Sequence, residues 1–200
     1  MTVGEFWPEK YVLKNEWQLN YQQNAPMSTA GRSVAIDHGE PYWTADVTVT
    51  VPTDSPHLRL WSSFFARRQG AKNSFTMNRS FQSFPQNPAI TTDEGLVLAS
   101  ADRSTSRIVL GTGANRNLGE EGDMFGYFTE AEGYYIGEIA KKIANHTYEM
   151  TPPPFQPHPT ESNPRRIKPI GEFRLLKAPR PTETNKRRTW SFLATQVIRG

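Results

Sequence analysis

The residues best suited to chemistry in this chain are a glycine-rich loop, four histidines and several neighbouring glutamates. The loop spans residues 111–119 and has the sequence GTGANRNLG. A dinucleotide-binding loop needs a third glycine at the position of Arg116, and no Lys-Ser or Lys-Thr pair follows to hold a nucleoside triphosphate. The loop therefore predicts a glycine-rich β turn rather than a phosphate site.

The histidines do not form a metal-binding pattern. None has a second histidine or a carboxylate at ligand spacing on a predicted helix. Their positions are scattered: His38, His57, His146 and His158. We expect no metal site and no other cofactor.

Paired carboxylates are the remaining candidates for catalysis. A general acid and base pair can be drawn between Glu120 and Glu121, or between Glu130 and Glu132. A glycosidase needs two carboxylates at a set distance across a sugar cleft, whereas these glutamates lie in predicted turns. No serine has the strand–elbow–helix context of a catalytic nucleophile. The sequence therefore predicts a protein that is not an enzyme.

Charge is distributed unevenly, although the net charge is only +3. Residues 117–140 contain six acids and no Lys or Arg, whereas residues 161–200 contain ten Lys or Arg against three Glu, a local charge of +7. Either these are two solvated surfaces, or they are complementary faces for self-assembly or for a channel wall. The candidate residues are Glu120, Glu121, Asp123, Arg165, Arg166, Arg187 and Arg188.

Nucleic-acid binding is a weaker interpretation of the basic segment. Residues 186–190 combine three cations with Trp190, the kind of mixture that contacts nucleic acid. The net charge is small, however, and Trp190 belongs to a strand whose side chains alternate between apolar and polar. We therefore do not expect specific binding of nucleic acid by this segment.

The element that would position these surfaces begins at residues 42–52, YWTADVTVTVP. Apolar and polar residues alternate with a period of two, which predicts a strand with one buried face and one wet face. Pro52 ends this pattern because proline cannot donate to the ladder. Asp46 and Thr48 lie on the polar face, which makes them candidates for a wet wall or a contact between subunits.

A helix over residues 56–69 follows this strand. Ser55 and Pro56 are typical of a helix start, and Gly70 of a helix end. An apolar stripe recurs at helical spacing through Leu58, Trp61, Phe64 and Phe65. The helix is therefore expected to cover one face of a sheet.

The rest of the chain predicts short strands joined by turns. Proline and glycine together contribute 30 residues, 16 and 14, which favours a mainly β protein. Strands are expected near 11–13, 16–21, 74–77, 95–99, 107–110, 123–128, 133–143, 147–150, 171–176 and 189–198. Residues 151–164 predict an extended linker or arm and residues 177–188 a basic loop. An irregular loop over residues 78–89 carries Phe81 and Phe84, which would contact a partner.

The chain contains no cysteine and therefore no disulfide framework. Its first residues lack the layout of a secretory signal, and no apolar run approaches the roughly 20 residues of a membrane span. We expect no membrane association.

The stretch around residues 42–77 resembles a family of small bacteriophage tail proteins. In that family, a strand that contains an aromatic residue and ends in proline precedes a helix, a short basic turn ending in glycine, and an aromatic strand. The matching parts here are residues 43–51, Pro52, residues 56–65, residues 67–70 and Phe75. Residues 122–126, 134–137, 147–154 and 188–197 resemble the β module and closing strand of the same proteins.

This resemblance implies a structural protein of a long non-contractile tail tip, most similar to the distal tail proteins of siphophages. Such proteins form a homohexameric ring that connects the tail tube protein to the baseplate hub protein, and DNA passes through the lumen. They would be assembled in the host cytoplasm and remain in the virion. The implied fold is a tail-tube-like β-sandwich over residues 1–90 and 166–200, with an inserted small β domain over residues 91–165.

Two alternatives stay open at this point. One is another minor tail or hub protein of the same tail. The other, of a different class, is a β-sandwich module that binds a carbohydrate or receptor through Phe81 and Phe84.

Overall fold

A computed structural model describes residues 5–24, 36–37, 39–79, 85–111, 119–156 and 164–198. These residues form fourteen strands and one α-helix. The prediction of a mainly β fold with a single helix is confirmed. Phe81 and Phe84, the predicted contact residues, lie outside the described residues.

The larger sheet is built from both ends of the chain. Its seven strands are β1 (Glu5–Phe6), β2 (Val12–Asn20), β5 (Tyr42–Pro52), β6 (Phe75–Asn78), β12 (Ile170–Leu175), β13 (Thr182–Thr184) and β14 (Arg187–Gln196). Their order is β1-β6-β12-β14-β5-β2, and β13 pairs with β14. The pairs are antiparallel except β1 with β6, which is parallel.

The smaller sheet is built entirely from the middle of the chain. Its five strands are β7 (Leu98–Asp102), β8 (Arg107–Leu110), β9 (Met124–Thr129), β10 (Gly133–Ala144) and β11 (Thr147–Thr151). They are antiparallel in the order β7-β8-β11-β10-β9. The short strands β3 (Gln23–Asn24) and β4 (Ile36–Asp37) pair separately. The division of the chain into a domain and an insertion stays a prediction.

Strand β5 lies between β14 and β2, and its alternation is as predicted. Its apolar side chains point into the core, each at most 2% exposed: Trp43, Ala45, Val47, Val49 and Val51. Burying a valine side chain stabilises a fold by about 1.5–3 kcal/mol. This one strand therefore contributes a large part of the apolar surface that holds the larger sheet.

The helix α1 (His57–Arg68) covers part of this apolar face. It begins one residue later than predicted, with Pro56 at the N-cap. Its C-cap is Gln69, which has the left-handed backbone conformation. The predicted stripe packs inward, with Trp61 and Phe64 fully buried. Phe64 meets Phe75 of β6 edge-on, with their ring centroids 5.2 Å apart.

The N-terminal strand β1 is tied to the end of this helix. Nε of Arg67 and an Nη of Arg68 donate to the Glu5 carboxylate at 2.9 and 2.6 Å. The hydrogen bond from Arg67 lowers the pKa of Glu5 below its usual range. This ion pair fixes the short first strand to the last turn of the helix, a contact that the local sequence does not predict.

The hairpin β9–β10 covers the remaining apolar face of the larger sheet and joins the two sheets. Met124 and Ile136 belong to the core of the larger sheet, whereas Tyr135 of the same hairpin belongs to the core of the smaller one. The indole N–H of Trp43 donates to the carbonyl of Ile136 at 2.9 Å. The hairpin is thus buried on both faces.

Two predicted irregular segments are more ordered than expected. Residues 151–156, part of the predicted linker, pack against the smaller sheet, where the Tyr135 hydroxyl donates to the carbonyl of Pro152 at 2.7 Å and Phe155 is 6% exposed. The predicted basic loop contains β13, which pairs with β14 around a tight turn. Both segments are ordered by contacts with residues that are distant in the sequence or lie across a strand pair. The amino-acid composition of the segments themselves does not reveal such contacts.

The aromatic packing under α1 gives a first test. Phe64→Ala should lower the free energy of unfolding by about 3–5 kcal/mol, because it removes a fully buried ring and leaves a cavity. Urea denaturation measures this change.

Leu60→Ala provides the matched control on the same helix. Leu60 is 53% exposed, so its truncation should change stability by less than about 0.5 kcal/mol. Equal losses for the two variants would contradict the orientation of the helix.

Candidate functional site

The most distinctive surface is the face of the larger sheet opposite the core, which we call the open face. It is formed by the polar side chains of β5 and by their neighbours on β2 and β14. All of the side chains on this face that are named below are half-buried or exposed. Its central members are Lys14, Glu16, Gln18, Thr44, Asp46, Thr48, Thr50, Thr189, Ser191, Leu193 and Thr195.

Short hydroxyl and amide side chains pair with each other across the strands of the open face. Thr48 hydrogen-bonds Ser191 at 3.2 Å, and Thr50 hydrogen-bonds Thr189 at 3.0 Å. These contacts follow from the register, which sets Thr48 opposite Ser191 and Thr50 opposite Thr189. Cross-strand pairs of this kind each contribute roughly 0.2–1 kcal/mol. They also satisfy hydroxyl groups that would otherwise need water or a ligand.

The charges at the centre of the open face are also paired. The ammonium of Lys14 lies 2.7 Å from the carboxylate of Asp46 and 3.2 Å from that of Glu16. The hydrogen bond to Asp46 raises the pKa of Lys14 above its usual range. The predicted residues Asp46 and Thr48 are thus on one accessible surface. Leu193, opposite Asp46 and 45% exposed, adds an apolar side chain there.

Asp123 does not belong to an accessible acidic surface, which corrects the sequence prediction. It is 5% exposed, and its two carboxylate oxygens accept the backbone N–H groups of Gln86 at 2.9 Å and Glu120 at 2.8 Å. A Cβ at Gly119 would lie 2.3 Å from the same carboxylate. Asp123 therefore holds the loop that precedes β9, because its acceptors are used inside the protein.

The acidic segment of the sequence does not form one surface. Glu120 and Glu121 are exposed before β9, whereas Glu130 is exposed after it. Six strand residues separate them, about 20 Å of extended chain. Glu138 lies 3.6 Å from Arg79 in an ion pair.

The two neighbouring arginines of the basic segment point in different directions. Arg166 is 8% exposed, and its guanidinium donates to the carbonyl of Thr92 at 2.7 Å and lies 3.7 Å from the carboxylate of Asp93. Its side chain is thus almost wholly buried within the chain, whereas the sequence makes it a candidate for an exposed contact between subunits. Arg165 is exposed.

The predicted cations at the start of β14 lie on the hairpin formed with β13. Arg187 is exposed, and Nε of Arg188 donates to the Glu183 carboxylate at 2.6 Å. Arg187 thus stays available on the surface. Part of the local positive charge is already neutralised within the hairpin.

The partners on β2 and β14 that complete the open face were not singled out from the sequence. Alternation over residues 189–198 places Ser191 and Leu193 on one face of a strand. It does not say that this strand lies next to β5, because register depends on long-range pairing. Lys14 had no sequence signal for its contact with Asp46.

The part of the chain that the structure describes was compared with two simple classes of feature, a metal centre and a membrane-spanning helix. Among those residues, no three His, Asp or Glu side chains form a group that could hold a metal ion. No described helix is long and apolar enough to cross a membrane. No family model matches the chain, and a search of curated proteins gives no match either.

The internal role of Asp123 can be tested by truncation. Asp123→Ala should lower the free energy of unfolding by about 1–3 kcal/mol, because two N–H groups in part-buried hydrogen bonds lose a charged acceptor. Thermal or urea denaturation would measure the loss.

Glu121→Ala is the control, since it removes a nearby carboxylate that is exposed. Its effect should stay within about 0.5 kcal/mol. A variant at Asp123 as stable as the wild type would show that the loop does not depend on this carboxylate.

Proposed function

We propose that this chain is a structural protein of a long non-contractile phage tail tip, and that it forms a hexameric ring joining the tail tube to the baseplate hub. The open face of the larger sheet would line the lumen of this ring. The proposal starts from the resemblance of residues 42–77 to distal tail proteins. The observation that carries it further is the construction of that face.

A wall along which DNA passes must be wet and must not hold phosphates. Affinity for DNA comes mainly from cations that neutralise phosphates. At the centre of the open face, the ammonium of Lys14 is already bound to Asp46. Hydroxyls such as those of Thr48 and Ser191 are bound to each other. The centre of the face is therefore hydrated without a free cluster of cations, and the exposed Arg187 and Arg174 lie towards its two ends.

The edge of the larger sheet offers a route to assembly. Strand β2 stands last in the strand order, so no described strand pairs with its outer side. An unpaired edge can extend into a sheet of another molecule. If each copy is rotated from the last by an angle that returns to the start after a whole number of copies, the copies form a closed ring.

Native mass spectrometry tests the assembly. A hexamer should weigh about 136 kDa, six times the 22.7 kDa of one chain, and electron microscopy should show a ring with a central hole. A closed ring with another number of copies would favour a different protein of the same tail. A monomer at all concentrations would contradict the ring and favour a binding module.

The position of the open face can be tested by chemical labelling, because the chain has no cysteine of its own. In the assembled ring, Thr48→Cys should react with a small maleimide but be protected from a maleimide on a bulky polymer. The reason is that only a small reagent would enter the lumen.

Leu60→Cys is the matched control, since Leu60 is exposed on the outer side of α1. It should react with both reagents. Equal reaction of Thr48→Cys with both would place the open face outside, and protection from both would place it against protein.

A further inference from the structure

A small pocket beside β9 has the composition of a protein-binding site. It encloses about 130 Å³ and is lined by Gly126, Tyr127, Phe128, Tyr134, Arg165 and Ile170. Aromatic residues and arginine are the types that dominate binding energy in protein interfaces. The pocket lies beside β9 of the smaller sheet and at the start of β12, and none of its described lining residues is among the central members of the open face.

The backbone that carries Arg165 is held firmly against β9. Its N–H donates to the carbonyl of Gly126 at 2.7 Å, and its carbonyl accepts the N–H of Gly126 at 2.8 Å. Position 126 itself needs glycine, because a Cβ there would lie 2.9 Å from Pro169 and 2.9 Å from the carbonyl of Tyr135. The next residues are fixed as well, since the N–H groups of Arg166 and Ile167 donate to the Asp93 carboxylate at 3.0 and 3.2 Å.

The walls of the pocket are two aromatic rings that lie next to each other. Phe128 and Tyr134 face each other across the β9–β10 pair, with ring centroids 4.9 Å apart and planes tilted by 56°. Both residues are half-buried. They give the pocket an apolar lining, and their arrangement is set by the register of the hairpin.

The size of the pocket limits its occupant to a single side chain. Pockets that enclose a whole drug-sized ligand have volumes of about 300–1,000 Å³, well above the volume here. A side chain supplied by a protein fits such a space, because the rest of the partner binds outside it.

The charge of the pocket selects the chemistry of that side chain. Among the described residues that line the pocket, Arg165 is the only charged one, and no described carboxylate forms an ion pair with its guanidinium. Guanidinium groups bind carboxylates in a bidentate manner. We infer that this pocket binds an acidic side chain of a partner protein, with the aliphatic stem against Phe128 and Tyr134 and the carboxylate on Arg165.

A sugar ligand fits the lining less well. Sugar hydroxyls need several hydrogen-bonding side chains. Among the described lining residues, Arg165 and the two tyrosines carry such groups. The hydroxyl of Tyr127 already donates to the carbonyl of Phe155, so this donor is used inside the protein. An acidic side chain needs one cation and an apolar lining, which the pocket provides.

Fluorine NMR tests the inference on the full chain with 4-fluorophenylalanine at position 128. The probe is the peptide acetyl-Leu-Glu-Leu-amide, and acetyl-Leu-Gln-Leu-amide is its uncharged counterpart. Titration with the glutamate peptide should shift the fluorine signal, and the glutamine peptide should bind at least tenfold more weakly. Equal binding of the two peptides, or no shift with either, would overturn the inference.

Variants and a sugar probe complete the experiment. Arg165→Gln should weaken binding of the glutamate peptide at least tenfold, and it should leave the fold intact because Arg165 holds β9 through its backbone. Arg174→Gln, an exposed arginine on β12, should leave binding unchanged. Methyl glucuronide binding more tightly than the glutamate peptide would overturn the inference by showing a site for acidic sugars.

Discussion

The register between β5 and β14 is the constraint on which most of this structure depends. Nine residue pairs join the two strands, from Arg187 opposite Pro52 to Thr195 opposite Thr44. Side chains in a strand alternate with a period of two, so a slip of one residue would exchange the two faces of the strand. The same pairing that buries Val47 against Phe192 sets Thr48 beside Ser191 on the open face. Core and surface are thus fixed by one set of backbone hydrogen bonds.

The apolar face of the larger sheet also explains how two sheets and a helix pack together around two adjoining cores. The helix α1 covers one part of that face through Phe64, and the hairpin β9–β10 covers another through Met124 and Ile136. Because the other side of the hairpin faces the core of the smaller sheet, neither sheet buries its apolar surface without the other. The middle of the chain is therefore part of what stabilises the strands from its two ends.

The sequence predicts those features that depend on short spacing, and it fails for those that depend on distant partners. The alternation of β5, the apolar stripe of α1 and the limits of β8 all follow from periodicity within a few residues. The burial of Asp123 and Arg166 does not, since the first is set by the N–H of Gln86 and the second by the carbonyl of Thr92. For the same reason the sequence overestimates the free surface charge. It counts ionic residues without showing which are already bound inside the protein.

That distinction between counted charge and free charge bears on the proposed role. A segment with a local charge of +7 would bind a polyanion if its cations were free and clustered. In the structure, Arg166 is internal and Arg188 is bound to Glu183. The centre of the open face, in contrast, combines one cation bound to two carboxylates with hydroxyls that are already hydrogen-bonded. Such a surface stays hydrated and presents few free cations that could replace the counterions on DNA phosphates. Weak attraction to DNA is the physical property that a passage for DNA requires.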